Sequence, residues 1–67
     1  MSRPIHADSG ATRRRILESA VTRFSGHGLD GASIREIARD ADVSLAMVHH
    51  YFGSKDELYR TCIDAMY

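Results

Sequence analysis

A chain of 67 residues, 43% of them apolar, has enough material for one small domain and its core and too little for two. Its formal net charge is zero, so no overall pull toward a polyanion is expected, and its single cysteine, Cys62, excludes an intrachain disulfide and fits a reducing cytoplasm. The opening residues MSRPIHADSG lack the apolar stretch of a signal peptide, and no apolar run approaches the roughly 20 residues of a membrane span.

The charge is segregated along the chain. Residues 1–23 hold Arg3, Arg13, Arg14, Arg15 and Arg23 against Asp8 and Glu18, a net +3; residues 24–67 carry a net −3. On charge alone the basic half is either a solvated helix face or a patch that lies along phosphates.

Residues 1–10, with Pro4, Gly10 and small polar side chains, read as a flexible arm. Helix 1 is expected from about Ala11 to Ser25, because Ile16, Leu17, Ala20, Val21 and Phe24 form one apolar stripe. Gly26 and Gly28 are expected to stop it, and His27 to Ala32 to form a glycine-rich loop. Helix 2 opens at Ser33, which forms with Glu36 the S-x-x-E pattern of a capping box, and carries Ile34, Ile37, Ala38 and Ala41 on one face. Asp42 sits in the following turn, where positive φ is expected. Helix 3 spans about Ser44 to Tyr51, with Val48 and Phe52 turned inward, and Gly53 breaks it. Helix 4 opens on a second capping box, Ser54 and Glu57, and its stripe of Leu58, Tyr59, Cys62, Ile63 and Met66 is still running where the sequence stops. That pattern suggests a truncated chain or an isolated N-terminal domain.

Two short helices joined by a tight turn over Ser33–Phe52 have the layout of a helix-turn-helix, whose second helix enters the DNA major groove. Ala38 and Ala41 suit the close crossing of its helices. At roughly 100° per residue, Leu45, Ala46, His49 and His50 point away from Val48 and Phe52. Small and apolar side chains there can pack on thymine methyls, and histidine can donate to bases or phosphates. The amino ends of helices 2, 3 and 4 offer free backbone amides to phosphate, with Ser33, Ser44 and Lys55 at those ends and Arg35 one step into helix 2. The same serines also read as plain caps, and Arg35 and Arg39 as solvated charges. His49 and His50 are adjacent, so they face different sides of the helix, and no third ligand at metal spacing accompanies them. Cys62 reads as a small buried hydrophobe. No nucleophile–base set, paired carboxylates or phosphate-cradling loop is present, so neither an enzyme nor a cofactor is expected.

The segments RRRILESAVTRFSGHGLDGASIREIARDADVS and VHHYFGSKDEL carry F-x-x-x-G, IA-x-x-A-x-VS and YF-x-SK-x-EL in that order. With these motifs, residues 12–67 resemble the N-terminal DNA-binding domain of TetR-family transcriptional regulators. The resemblance implies an all-α, homeodomain-like three-helix domain over 11–53, with its helix-turn-helix at 33–52. Residues 54–67 would start a fourth helix leading to an absent domain that binds a small-molecule effector and dimerises. It further implies that Arg35, Ser44, Leu45, Ala46, Met47, His49, His50 and Tyr51 contact DNA and that Ser33 and Lys55 contact phosphate. The partner would be a near-palindromic operator bound by a homodimer in the bacterial cytoplasm, most simply for repression. Three positions depart from the family pattern: Asp42 where glycine is frequent, His49 where tyrosine is usual, and Leu45-Ala46 where a Lys-Gly pair is frequent. Two rivals stand beside this reading: a protein-interaction module docking through Leu45, Ala46, Met47 and the helix 4 stripe, and a regulator remnant with no operator of its own.

Overall fold

The computed structural model describes residues 7–66, with side chains from Gly10 onward. Four helices follow one another: α1 (Ala7–Gly31), α2 (Ile34–Ala41), α3 (Leu45–Phe52) and α4 (Lys55–Met66). The first six residues of the expected arm, and Tyr67, lie outside the described residues. Residues 7–10 are helical rather than part of an arm.

α1 also runs further than its glycines suggested. Gly26 lies within the helix and does not stop it; the break comes at Gly28, with φ 76° and ψ 175°. Isolated glycine weakens a helix by only about 1 kcal/mol, which tertiary packing overrides. Beyond the break the chain makes one more helical turn, closed by the Ala32 amide donating to the Gly28 carbonyl (3.1 Å). The expected glycine-rich loop is thereby reduced to the kink and the pair Ala32-Ser33.

The core is one cluster drawn from all four helices. Ile16, Ala20 and Phe24 of α1 meet Ile37, Ala38 and Ala41 of α2, Val48 and Phe52 of α3, and Leu58 and Cys62 of α4. Ile16, Ile37, Val48 and Leu58 have no exposed surface, each contributing about 1.5–3 kcal/mol of burial. The Phe24 and Tyr59 rings meet edge to face at 5.0 Å, which ties α4 into this core. Burial pushes the Cys62 thiol above its ordinary pKa.

A second stripe of α1, one residue before the apolar one, is polar and grips α2. Arg15 donates through Nε and Nη2 to the Ala41 carbonyl (3.1 and 3.0 Å). The Ser19 hydroxyl donates to the Ile37 carbonyl (3.0 Å), and Arg23 Nε donates to Asp40 Oδ2 (2.6 Å). That hydrogen bond is the main reason the Asp40 carboxyl lies below the usual carboxylate range and Arg23 is raised. Positions 15, 19 and 23 are four apart, so they share one helix face.

Candidate nucleic-acid interface

The turn that sets α3 against α2 is built by local chemistry. Ser33 Oγ accepts from the Arg35 and Glu36 amides (3.1 and 3.4 Å) and starts α2. Only that half of the expected capping box forms; the Glu36 carboxylate turns instead to Arg23 Nη1 (3.5 Å). α2 ends in a Schellman motif: the Asp42 amide donates to Arg39 O (3.1 Å) and the Val43 amide to Ala38 O (3.0 Å). Asp42 accordingly takes the left-handed conformation, φ 61° and ψ 46°, as the turn position predicts. Val43 packs back on the core, and Ser44 Oγ then caps α3 by accepting from the Met47 amide (3.1 Å).

Val48 and Phe52 hold α3 down, and Arg13 lies over the outer side of the Phe52 ring, 4.9 Å from its centre. The remaining side chains of α3 are presented outward. Leu45, Ala46, Met47, His49 and His50 are all exposed, with Leu45 and Met47 at 38% and 40%. By helical angle, Ala46, Met47 and His50 form the centre of this face, with His49 and Tyr51 on its flanks; Leu45, expected to point away from Val48 and Phe52, lies only about 20° from Phe52 and borders the packed side, 38% exposed. Met47, which the angular reading of the sequence left out, therefore belongs at its centre. Tyr51 is half-buried, its ring edge-on to His50 at 5.4 Å. The His49 ring lies with Nδ1 2.8 Å from the Gly53 carbonyl. A carbonyl only accepts, so Nδ1 carries the proton and Nε2 is left for an outside partner.

The other expected contact residues lie at helix starts. Arg35 is exposed in the first turn of α2; Ser33 before it is half-buried and engaged as a cap, as is the exposed Ser44 before α3. Their hydroxyl hydrogens remain to be donated. Half-buried Lys55 is the first residue of α4. There the second capping box closes in full: the Ser54 amide donates to Glu57 Oε1 (2.8 Å) and the Glu57 amide to Ser54 Oγ (3.2 Å). Gly53, at φ 84° and ψ −132°, makes this junction, and a Cβ at that position would collide with the Glu57 carboxylate.

The electrostatics differ between the three helix starts. Glu36 stands in the first turn of α2 and Asp56 and Glu57 in that of α4, but α3 has no acidic residue in its first turn. The partial positive charge at the α3 amino end is therefore not offset by its own side chains. The arginines of α1 divide by role. Arg15 and Arg23 bond to α2 and Arg13 stacks on Phe52, so most of the basic cluster read from the sequence is engaged within the fold.

Among the described residues, no three His, Cys, Asp or Glu side chains gather at a possible metal position, and no helix is long and apolar enough to cross a membrane. The polar grip of Arg15, Ser19 and Arg23 is the element that reading for apolar periodicity missed. Its signal was present as a second four-residue repeat beside the apolar one.

A family model described as "Bacterial regulatory proteins, tetR family" matches residues 16–62. The chain is 39% identical to the HTH-type transcriptional repressor SCO4008 of Streptomyces coelicolor over 57 residues, 85% of this chain and 30% of that protein. It is 48% identical to the HTH-type transcriptional regulatory protein RaaS of Mycobacterium tuberculosis over 50 residues, 75% of this chain and 23% of that one. The crystal structure of HlyIIR, a haemolysin II transcriptional regulator, superposes with a TM-score of 0.78 at 38% identity, covering 82% of this chain and 31% of that one. The chain thus spans less than a third of the length of each of these relatives.

Proposed function

Because this chain belongs to the tetR family of bacterial regulatory proteins, we propose that it binds double-stranded DNA sequence-specifically and serves transcriptional regulation, most simply repression. The observation that carries this reading is α3, anchored by Val48 and Phe52 and presenting Leu45, Ala46, Met47, His49 and His50 outward. A helix so presented fits the major groove of B-DNA, about 12 Å wide. Ser33, Ser44 and Lys55, with the amides of the helix starts they occupy, fix the domain on phosphates, and Arg35 reaches a base or a phosphate beside them. Tyr51 borders the reading face.

The relatives' greater length supports reading the chain as the DNA-binding part of a larger regulator. In that regulator α4 leads into a domain that binds a small-molecule effector and pairs two copies. The dimer then addresses a near-palindromic operator in the bacterial cytoplasm, with half-sites one or more DNA turns apart, about 34–36 Å per turn.

The test is selection of this chain on random duplex DNA at low and moderate salt. An enriched half-site whose binding falls as salt rises supports the proposal, since each phosphate neutralised adds about −0.9 to the slope of log K against log salt. No binding at low salt refutes it and favours the rival in which the apolar surface docks a protein.

A further inference from the structure

Resting on the DNA-binding reading above, we infer that α3 recognises its operator mainly through the C5-methyl groups of pyrimidines, so that thymine and 5-methylcytosine are bound more tightly than uracil and cytosine. The argument begins with what α3 lacks. Leu45–Phe52, LAMVHHYF, contains no Arg, Lys, Asn, Gln, Asp or Glu. Those are the side chains that read guanine, adenine or cytosine through paired or charge-assisted hydrogen bonds in the major groove. The polar side chains that do stand on the face offer single hydrogen bonds at most: the His50 and Tyr51 rings meet edge to face, and the others are engaged in part. His49 Nδ1 is held by the Gly53 carbonyl, and Ser44 Oγ accepts the Met47 amide. The centre of the face is Ala46, Met47 and His50, with Leu45 at its edge. Met47 and Leu45 are large apolar side chains that stay 40% and 38% exposed.

The one apolar feature that the major groove offers is the pyrimidine C5-methyl group, which thymine carries and cytosine gains on methylation. A methionine next to an alanine that permits close approach matches one such methyl, and Leu45, at the edge of the face, is placed for a second. Unbranched Met47 can adjust its rotamers to the exact position of the methyl. The neighbouring amino end of α3, free of acidic side chains in its first turn, supplies attraction for a phosphate without specifying a base. Affinity and base selection are thereby divided between backbone amides and apolar side chains.

The experiment uses the half-site recovered by selection, prepared as four kinds of duplex. The first carries thymine, and the second carries deoxyuridine at every thymine or at one thymine at a time. The third has thymines replaced singly by cytosine, and the fourth by 5-methylcytosine. Removing a contacted methyl should weaken binding about fourfold, the equivalent of one buried methyl group. The uracil duplex should weaken by that factor per contact, and 5-methylcytosine should regain about the same factor over cytosine. Met47→Ala and Leu45→Ala alter exposed side chains and leave the fold in place; each should abolish the uracil penalty at one position and leave it elsewhere. Equal binding of the thymine and uracil duplexes overturns the inference while the DNA-binding reading stands. So does a uracil penalty that neither variant alters; salt-sensitive binding with no enriched sequence overturns the inference together with the sequence specificity of that reading. Failure of the thymine duplex to bind at low salt removes both.

Discussion

Arg15→Met separates an arginine that builds the fold from one that touches a phosphate. Methionine keeps the length and apolar stem of the side chain but removes both donors to the Ala41 carbonyl, at 3.1 and 3.0 Å. Ala41 is the last residue of α2, so its carbonyl is a helix-end acceptor with no partner inside the helix. A hydrogen bond from a charged donor contributes about 1.5–3 kcal/mol, but Arg15 is exposed and water replaces part of it. The expected loss is therefore about 1 kcal/mol, a fall in Tm of roughly 4–8 °C for a domain of this size. Thermal unfolding followed by far-ultraviolet circular dichroism reads it. Binding to the selected duplex across a salt series should keep its slope, because no phosphate contact is lost. Lys55→Met should behave in the opposite way, holding Tm and reducing the slope by about 0.9. A reduced slope with unchanged Tm in Arg15→Met would refute the assignment and return Arg15 to the phosphate-contacting patch that its place in the Arg13–Arg15 cluster suggested.

Asp42→Gly should raise stability by up to about 1 kcal/mol, since relief of the left-handed cost, about 1–2 kcal/mol, exceeds the extra chain entropy of glycine; a lower midpoint in urea would contradict this. Gly53→Ala should cost about 1–3 kcal/mol through its positive φ and its collision with the Glu57 carboxylate. Adding Glu57→Ala should then cost less than the two single changes together, because the collision disappears; strict additivity would show that the carboxylate plays no part. Asp40→Asn should be less stable than the parent at neutral pH. Because pairing with Arg23 lowers the folded-state pKa of Asp40, its contribution is complete above the ordinary carboxylate value and is lost as pH falls through the folded-state value. The gap between the two proteins should close on acidification, and a gap independent of pH would remove the ion pair from the account.

What the sequence disclosed and what it hid follow the range of the interactions. Ser33, Ser44, Asp42 and the Ser54–Glu57 box act within one turn of chain, so local residue order reveals them. Val48, Phe52 and Leu58 were legible because burial imposes the helical period. Glu36 is the informative exception: its local partner was the Ser33 amide, yet Arg23, thirteen residues earlier, takes its carboxylate. The bond from Arg15 spans 26 residues: the four-residue repeat of Arg15, Ser19 and Arg23 marks a polar face, but local order does not name the Ala41 carbonyl as its partner. α1 outruns its glycines because, of those in the helix, only Gly28 takes a backbone conformation that requires one. The ten expected contact residues were legible as a surface, through exposure and helix starts. Their individual partners on DNA depend on a second molecule and lie beyond any reading of this chain's own periodicity.

Ala38 and Ala41 are the small buried residues of α2, in the same core as the Val48 and Phe52 that anchor α3. α3 has eight residues, a rod of about 12 Å at 1.5 Å per residue. A side chain one or two carbons larger at either alanine would act as a shim beneath that rod. A tilt of only about 10° would swing its far end by about 2 Å, enough to take a side chain out of reach of a base edge. The choice of base can therefore drift without any change on the outer face: two small interior side chains work as the adjusting screws of the instrument, and Leu45, Met47 and His50 are its tip.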